Sequence, residues 1–322
     1  GGGGADNVGY VLAMQAVAEA CASTAVVLAS SNLVAKILAD HASPAQRARW
    51  LAPYSAGRLG PASFALSEPG CGSDAAALTT TARLDGDTWV LSGSKMWITS
   101  GAHAGIHLVF ARSDGPGPAG ISAFVVPRDA PGLVVGREED KMGQRASGTV
   151  ALAFDDCRIA GDSLLGARGQ GYAIALSALG AGRVGIAALS IGIAEAALAA
   201  GERYVRDRRA FGRALAEFQN TQFVLADCRT ELDAAWLLTL RAARLLDAGD
   251  KAAAETSMAK LFASEACGRI VDRVVQLHGG YGYSREFAIE RMYRDARVTR
   301  IYEGTSEIQR LVIARELLRD HA

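Results

Sequence analysis

The sequence predicts a multidomain α+β protein in which a β-rich middle segment separates two helical ones. Long Ala-, Leu- and Val-rich stretches lie towards both ends, whereas short β-branched and aromatic runs bounded by Gly, Pro or Asp lie between them. The length of 322 residues also suits two or three domains better than one compact core. We therefore place the domains at 1–58, 59–165 and 166–322.

The first segment reads as helical. The stretch "YVLAMQAVAEACASTAVVLASSNLVAKILADH" is rich in apolar helix-forming residues, with small residues spaced for close helix packing. A shorter helix follows, because Ser43 can cap it, Pro44 suits its first turn and Gly57 suits its end.

The middle segment reads as β structure. "TTTARLDGDTWVLSGSKMWIT" predicts two strands about an Asp-Gly turn. The runs "GIHLVFARS", "GISAFVVPRD", "GLVVGRE" and "TVALAFDDCRI" follow at short spacing. This spacing predicts a small antiparallel barrel or sandwich.

The last segment returns to long helical patterns. They start near residues 171, 216 and 250, and Gly249 and Gly279 mark two of their ends. "SEIQRLVIARELLRD" is the expected fourth member of a four-helix bundle.

Composition excludes several classes of function. Lys plus Arg and Asp plus Glu both total 34, and this neutral charge argues against nucleic acid as a partner. The five cysteines form no CxxC pair, which is typical of a reduced, cytoplasmic protein without disulfides. No HExxH sequence is present, so no metal is expected. We also expect no membrane span, because the most apolar run, "ACASTAVVLASSNLVA", is interrupted by Ser, Thr and Asn.

Two motifs in the middle segment could meet a ligand. In "FALSEPGCGSDAA", Gly70 and Gly72 allow close backbone approach, and Ser67 and Ser73 add hydroxyls, although an ordinary strand-exit turn explains these residues equally well. In "GSKMWITSG", the residues by themselves favour a core Trp97. Beside a planar cofactor, Trp97 could instead cover one ring face.

Two further motifs lie at helix ends of the last segment. "RDRRAFG" is basic, which is usual for a solvated face but also suits a pyrophosphate, because the Arg fork binds two oxygens. "QLHGGYGY" could be a plain helix C-cap, and its glycine spacing does not match a dinucleotide fingerprint.

Taken in order along the chain, these motifs resemble the acyl-CoA dehydrogenase family. "ALSEPGCGSDAAA" and "QLHGGYGYSREFAIERMYRD" look like the two family signatures, and "GSKMWIT", "RRAFG" and "IYEGTSEIQR" fall in family order. The resemblance covers essentially the whole chain. It implies an N-terminal helical domain, here without the family's leading helices, then a middle β domain and a C-terminal helical bundle.

The resemblance also implies a cofactor and partners. The family binds FAD between the β domain and the bundle and passes electrons to an electron-transferring flavoprotein. Part of the FAD contact comes from a neighbouring subunit, so a homodimer or homotetramer is implied. The implied FAD-binding residues are Phe64, Leu66, Ser67, Ser73, Trp97, Ile98, Thr99, Arg208, Phe211, Gln219, Gln276, Gly279, Gly280, Thr305 and Glu307.

Glu303 matches the catalytic base of the family. The implied reaction removes a proton from the α-carbon of an acyl thioester and a hydride from the β-carbon, and it gives the trans-2-enoyl thioester. A carboxylate in an apolar site is a better base, because burial raises its pKa. The implied substrate-binding residues are Ser73, Arg183, Tyr302 and Gly304. Some branches carry the base on an earlier helix, but the matching positions here are Gly180 and Gly182.

The chain departs from the family pattern in places. Gly180 replaces an Asp that often precedes the kept Arg183, Gly148 replaces a common acid, and Cys71 is mildly unusual. The change at Gly180 leaves open a substrate bound to a carrier protein instead of CoA. A flavin oxidase or N-hydroxylase on the same fold is a second alternative, and a DNA-binding relative is a third. Glu303 argues against the oxidase or N-hydroxylase, because such enzymes often change the catalytic base. It also argues against the DNA-binding relative, because a non-catalytic protein needs no catalytic base.

Overall fold

A computed structural model describes residues 4–319 and divides the chain into two compact units. The sheet unit comprises Val27–Asp140 and Ala146–Leu179, and the bundle unit comprises Ala5–Val26, Lys141–Arg145 and the chain from Gly180 onwards. The domain boundaries drawn from the sequence stay predictions.

The helices lie at both ends of the described chain. They are α1 (Asn7–Ala20), α2 (Ala22–His41), α3 (Pro44–Gln46), α4 (Ala52–Ser55), α5 (Gly171–Ser177), α6 (Leu179–Asp207), α7 (Gln219–Asp247), α8 (Ala253–His278), α9 (Ala288–Arg297) and α10 (Ser306–Leu317). A π-helical turn, Arg47–Leu51, joins α3 to α4.

The predicted start of the short helix after α2 is confirmed. The Ser43 hydroxyl accepts the N–H of Gln46 at 3.2 Å, and the Gln46 side chain accepts the N–H of Ser43 in return. Pro44 lies in the first turn, where its missing N–H costs no hydrogen bond.

The sheet unit contains one continuous sheet. Its strands are β1 (Ala62–Ala65), β2 (Thr81–Asp85), β3 (Thr88–Thr99), β4 (Ile106–Arg112), β5 (Ile121–Pro127), β6 (Leu133–Glu138), β7 (Thr149–Ala160) and β8 (Leu164–Leu165). The strand order is β6-β7-β3-β2-β4-β5-β8, and β1 pairs with β4.

The middle β domain is confirmed, but its pairing is not purely antiparallel. Both β1 and β2 pair parallel with β4, whereas the other pairs of this sheet are antiparallel. Runs and turns in a sequence indicate strands and hairpins, but not which distant strand lies alongside.

Both faces of the central strands are buried. Along β4, Leu108 and Phe110 belong to an apolar cluster that includes Ile37 of α2, whereas Val109 and Ala111 face a second cluster. Successive side chains of a strand point to opposite faces, so a strand buried on both sides is mostly apolar, and the polar exception among the buried residues of β4 is His107.

In the bundle unit α7 and α10 both pack on α8, as expected for α10 as the fourth helix, and α6 meets α8 where Gly201 lies against Val274. Two glycines let α1 approach α6. A Cβ at Gly185 would collide with the Tyr10 hydroxyl, and one at Gly192 with the carbonyl of Gln15. A two-stranded hairpin, β9 (Arg209–Ala210) and β10 (Arg213–Ala214), precedes α7.

Two helical stretches are long and apolar enough to cross a membrane, which contradicts the expectation that no run would qualify. They are Ala22–His41 and Gly171–Asp207. In their most apolar 18-residue segments, 56% and 78% of the residues are buried. Burial of this kind is typical of core helices.

Candidate active site

Glu303 lies in a tight loop that leads into α10. Its φ is 52° and that of Gly304 is 87°, so two consecutive residues adopt the left-handed conformation. This conformation costs roughly 1–2 kcal/mol for a residue with a side chain, so other contacts must hold it. Thr305 ends the loop by capping α10, since its hydroxyl accepts the N–H of Ile308 at 3.3 Å.

Two buried side chains hold this loop by its carbonyls. Lys260 Nζ donates to the Gly304 carbonyl at 2.8 Å. Gln309 Nε2 donates to the carbonyls of Glu303 and Gly304 at 3.1 and 2.9 Å. Both donors are fully buried, at 0% exposure.

The Glu303 carboxylate has charged neighbours but no hydrogen-bond partner within the described part of the chain. Burial raises its pKa, and the positive charges of Lys260 and Arg183 only partly oppose the rise. Burial likewise lowers the pKa of Lys260 to about 8, against the attraction of Glu303. A partly buried carboxyl with a raised pKa and free oxygens is suited to take up a proton.

Arg183 is a buried cation without a direct partner in residues 4–319. Its side chain is 8% exposed, its Nε has no acceptor, and burial lowers its pKa despite the charge of Glu303. A buried charge left unpaired is costly, which favours an anionic or polar ligand nearby.

Tyr302 is positioned by a chain of polar contacts. Gln144 Nε2 lies 3.1 Å from the Tyr302 hydroxyl, and the Gln144 N–H donates a short hydrogen bond to Asp295. Burial raises the pKa of Tyr302, so the phenol stays protonated. Its hydroxyl oxygen accepts from Gln144 and its O–H proton can still donate, so both the ring and the hydroxyl are available for the expected substrate contact.

The sequence analysis missed Lys260, Gln309 and Gln144. The signal available for Lys260 was a lysine within the apolar helical stretch "SMAKLFASEA". Such a lysine is usually solvated, so the pattern by itself does not indicate burial.

In the sheet unit, Trp97 sits on a β-bulge. Lys95 pairs with Leu152 and Ile98 with Val150, so β3 carries one extra residue at this point, and Trp97 has φ 63°. Trp97 is 60% exposed, which overturns the alternative of a core tryptophan.

The structure brings the two middle motifs together. The N–H of Met96 donates to the carbonyl of Ser67 at 2.9 Å, so Ser67 lies beside the Trp97 bulge. Thr99 is half-buried and Ser73 is exposed.

Three predicted cofactor residues of the sheet unit also pack against its apolar core. Ile98 is only 1% exposed, so its side chain belongs to the core. The half-buried Phe64 ring is tilted by 55° against the Phe110 ring with centres 5.0 Å apart, and the half-buried Leu66 packs against the same cluster. Because the Ile98 side chain is buried, only the Ile98 backbone can contact a cofactor.

The bundle unit gathers four of the predicted residues around one cavity. Arg208, Gln276, Gly279 and Gly280 line a volume of about 560 Å³. The Arg208 guanidinium lies 5.3 Å from the centre of the Tyr281 ring.

The remaining predicted cofactor residues of this unit lie outside that cavity. Phe211 is 95% exposed, at the tip of the β9–β10 hairpin, and Gln219 begins α7 and is exposed. Glu307 is exposed in the first turn of α10, and Thr305 serves as the cap described above.

No group of His, Cys, Asp and Glu is arranged to hold a metal in residues 4–319. His103 and His107 stand four residues apart, but His107 is buried against the Ser63 hydroxyl at 2.7 Å, and His103 lies 3.4 Å from Glu138.

Comparison with known proteins decides the family. Three acyl-CoA dehydrogenase domain models match in order: the N-terminal domain at residues 1–58, the middle domain at 63–157 and the C-terminal domain at 169–318. This chain belongs to the acyl-CoA dehydrogenase family. It is therefore an FAD-dependent oxidoreductase that acts on a CH–CH bond.

Individual acyl-CoA dehydrogenases are similar over nearly the whole chain. The mouse mitochondrial short-chain specific acyl-CoA dehydrogenase (Mus musculus) is 49% identical over 323 residues, which cover 99% of this chain and 78% of the mouse protein.

Two solved structures agree with this. Butyryl-CoA dehydrogenase from Megasphaera elsdenii aligns with a TM-score of 0.96 at 39% identity, over 98% of this chain and 83% of that one. A chain from the structure of the electron-transferring flavoprotein of Acidaminococcus fermentans aligns with a TM-score of 0.97 at 41% identity, over 99% and 84%.

The residues present fit an FAD. The cavity has the size of a small-molecule site, an Arg side chain on its wall and two glycines where an added Cβ would meet nothing within 4 Å. In the sheet unit, the exposed Trp97 offers an aromatic face of the kind that covers a planar ring.

Proposed function

We propose that the chain dehydrogenates a short-chain acyl-CoA to the trans-2-enoyl-CoA, with Glu303 as the catalytic base. The observation that carries the proposal is the Glu303 carboxylate itself. It is partly buried, has a raised pKa and makes no hydrogen bond to any other described residue. The similarity to short-chain and butyryl-CoA dehydrogenases supports the substrate class.

The loop around Glu303 suits proton abstraction next to a thioester. In residues 4–319 the Glu303 N–H has no acceptor, so it is available to polarise the thioester carbonyl. Polarisation stabilises the negative charge that develops when the α-proton leaves. Gly304 has no side chain, which lets Gln309 pack against the loop: its Nε2 would lie 2.7 Å from an added Cβ.

Arg183 and Tyr302 are the other proposed substrate-side residues. The buried guanidinium of Arg183 can interact with polar atoms of the substrate and also stabilises the ionised form of Glu303. Tyr302 contributes ring surface and a hydroxyl that accepts from Gln144 Nε2 and still has a proton to donate. Ser73 is exposed and can contact the CoA side.

We assign the cofactor contacts within each unit separately. In the bundle unit, Arg208, Gln276, Gly279 and Gly280 would hold the pyrophosphate and adenosine end. In the sheet unit, the chain around Ser67, Trp97 and Thr99 would meet the ring. Bound FAD supplies the acceptor for the hydride that leaves the β-carbon.

The alternatives receive less support. A free carboxylate at Glu303 fits dehydrogenation and not an oxidase or N-hydroxylase with an altered base. A carrier-bound substrate rested on Gly180, but the mouse and Megasphaera relatives are both named for acyl-CoA substrates. The similarity likewise gives no support to a DNA-binding role.

We propose three further properties of the protein in its cell. An electron-transferring flavoprotein is its electron acceptor, supported by the similarity to the Acidaminococcus chain. The protein forms a homodimer or homotetramer. A cytoplasmic location agrees with the free thiols of all five cysteines, although the mouse relative is mitochondrial.

Anaerobic titration of the holoenzyme tests the proposed substrate. Acyl-CoAs of increasing chain length are added, and loss of flavin absorbance is followed by stopped flow. Fast, complete bleaching with butyryl-CoA and slow bleaching with palmitoyl-CoA are expected. Bleaching only by long-chain acyl-CoAs would overturn the short-chain assignment, and none with any acyl-CoA would overturn the function.

A further inference from the structure

Lys260 and Gln309 meet at the backbone of the proposed base. Lys260 comes from α8 and Gln309 from α10, yet both donate to the Gly304 carbonyl, at 2.8 and 2.9 Å. Gln309 also donates to the Glu303 carbonyl at 3.1 Å. All three bonds act on the two left-handed residues of the loop.

These bonds explain how an unfavourable conformation persists. A left-handed Glu303 tends to relax towards ordinary φ values, and relaxation would turn its carbonyl away from Gln309. An added Cβ at Gly304 would lie 2.7 Å from Gln309 Nε2, so the donor packs directly on the loop. The direction of the carboxylate therefore depends on the two donors.

A lysine is an unexpected choice for a purely structural donor. Burying an ammonium group costs several kcal/mol, and a neutral amide could hold the same carbonyl without that cost. Gln309 already does so. What Lys260 adds is its charge, which acts on the neighbouring Glu303 carboxylate.

Other charged groups around Lys260 do not duplicate this arrangement. Glu265 is engaged by Arg300 at 3.4 Å and by the Ser306 hydroxyl at 2.6 Å, and Glu307 is exposed in α10. Arg183, on α6, also acts on Glu303, but it makes no hydrogen bond to the loop in the described chain. Lys260 alone among these groups both bonds the loop and carries a positive charge.

We propose that Lys260 is a positioning residue that, with Gln309, fixes the Glu303–Gly304 backbone and, through its charge, favours the ionised carboxylate of the base. This inference rests on the proposed function and deepens it. Gln309 only fixes the loop backbone, whereas Lys260 fixes it and also supplies a positive charge. Comparing variants of the two residues therefore distinguishes the effect of positioning from the effect of charge.

Exchange of the α-protons of acetyl-CoA isolates the proton-transfer step. Acetyl-CoA has α-hydrogens but no β-carbon, so it can lose a proton to the base but cannot be dehydrogenated. The holoenzyme is incubated with acetyl-CoA in D₂O, and loss of the methyl proton signal is followed by NMR across the pH range. The rate falls at low pH where the base becomes protonated.

The expected results differ between variants. Lys260→Met should slow exchange about 10- to 100-fold, the effect of losing a hydrogen bond from a charged donor. Lys260→Met should also shift the low-pH fall of the exchange rate to higher pH, because the loss of a positive charge beside the Glu303 carboxyl raises the pKa of that carboxyl. Gln309→Leu should slow exchange without shifting this low-pH fall, and Lys260→Arg should restore its position. Lys251→Met, at an exposed lysine, is the matched control and should match wild type.

The variants test the inference about Lys260 separately from the proposed function. If Glu303→Gln abolishes exchange but Lys260→Met keeps the wild-type rate and profile, the inference fails and the base stands. If Glu303→Gln still exchanges at the wild-type rate, the proposed function fails. If Lys260→Met does not fold, as judged by circular dichroism, then wild-type exchange by Gln309→Leu overturns the positioning claim.

Discussion

Lys95 Nζ lies 2.8 Å from Glu68 Oε1, and the two side chains are 0% and 4% exposed. Lys95 also donates to the carbonyl of Leu66 at 3.1 Å. The pair therefore joins the stretch that contains Ser67 to the strand that contains Trp97. Removing one member of a buried pair leaves an unpaired charge, so the two segments depend on both residues.

Acid should weaken this pair and the fold with it. Burial would raise the pKa of Glu68, but hydrogen bonds from Lys95, Thr80 and Thr79 outweigh it and lower the pKa from 4.5 to about 2. The folded-state pKa is below the unfolded value, so the stabilisation is complete above pH 4.5 and is lost as pH falls from 4.5 towards 2.

Glu68→Gln tests the contribution of the pair. At neutral pH it should lower the free energy of unfolding by about 3–5 kcal/mol, because Lys95 is left charged and buried. Urea denaturation at a series of pH values should show a flatter acid decline than wild type. Asp85→Asn, at an exposed ion pair with Arg158, is the control and should change little. An equal effect of both substitutions would contradict the role of the buried pair.

Trp97→Ala should weaken flavin retention, because it removes the exposed aromatic face at the β3 bulge. The flavin-to-protein absorbance ratio after gel filtration measures this, and titration of apoprotein with FAD gives the dissociation constant. Trp97→Phe keeps an aromatic ring and should retain most binding. Wild-type occupancy and spectrum in Trp97→Ala would show that Trp97 does not contact the cofactor.

Gly304→Ala should impair catalysis more than stability. The residue has φ 87°, and a new Cβ would lie 2.7 Å from Gln309 Nε2, so the loop must shift. We expect kcat to fall by about tenfold or more. Gly57→Ala is the matched control, with φ 71° and nothing within 4 Å. It should show a similar backbone penalty in melting temperature but normal kcat. Equal kcat in both variants would contradict the claim that catalysis requires a glycine at position 304.

Arg208→Ala should lose FAD and, if neighbouring subunits share the cofactor, loosen the assembly. A ligand that binds only the assembled state stabilises that state by mass action. Light scattering gives the mass, and flavin absorbance gives the occupancy. Arg206→Ala, at an exposed Arg outside the cavity lining, should behave as wild type. A wild-type holoenzyme that is monomeric with full flavin would contradict the proposed shared site.

Local patterns predicted much of the fold, because periodic apolar residues, caps and turns are local. Ser43, Pro44 and the long helices followed directly from such patterns. The parallel pairing of β1 and β2 with β4 did not, because register depends on residues far apart in the chain.

The site divides in the same way. Glu303 could be identified because it lies in a recognisable motif. Lys260 could not be identified, because its burial results from the packing of α8 near α10 and is not indicated by the residues around it in the sequence. Ile98 and Trp97 are neighbours in one motif, and one is core while the other is exposed, because successive side chains of a strand point to opposite faces. The bulge between them and the partner strand β7 could not be predicted, because it depends on pairing with residues far along the chain.

The central claim is that Glu303 removes the α-proton, and rapid mixing of Glu303→Gln holoenzyme with butyryl-CoA tests it most directly. Glutamine keeps the shape but cannot accept the proton, so the variant should bind FAD and butyryl-CoA normally. Anaerobic bleaching of its flavin should be slower than wild type by about 10²- to 10⁴-fold or more. A bleaching rate close to that of wild type, with normal binding, would contradict the account.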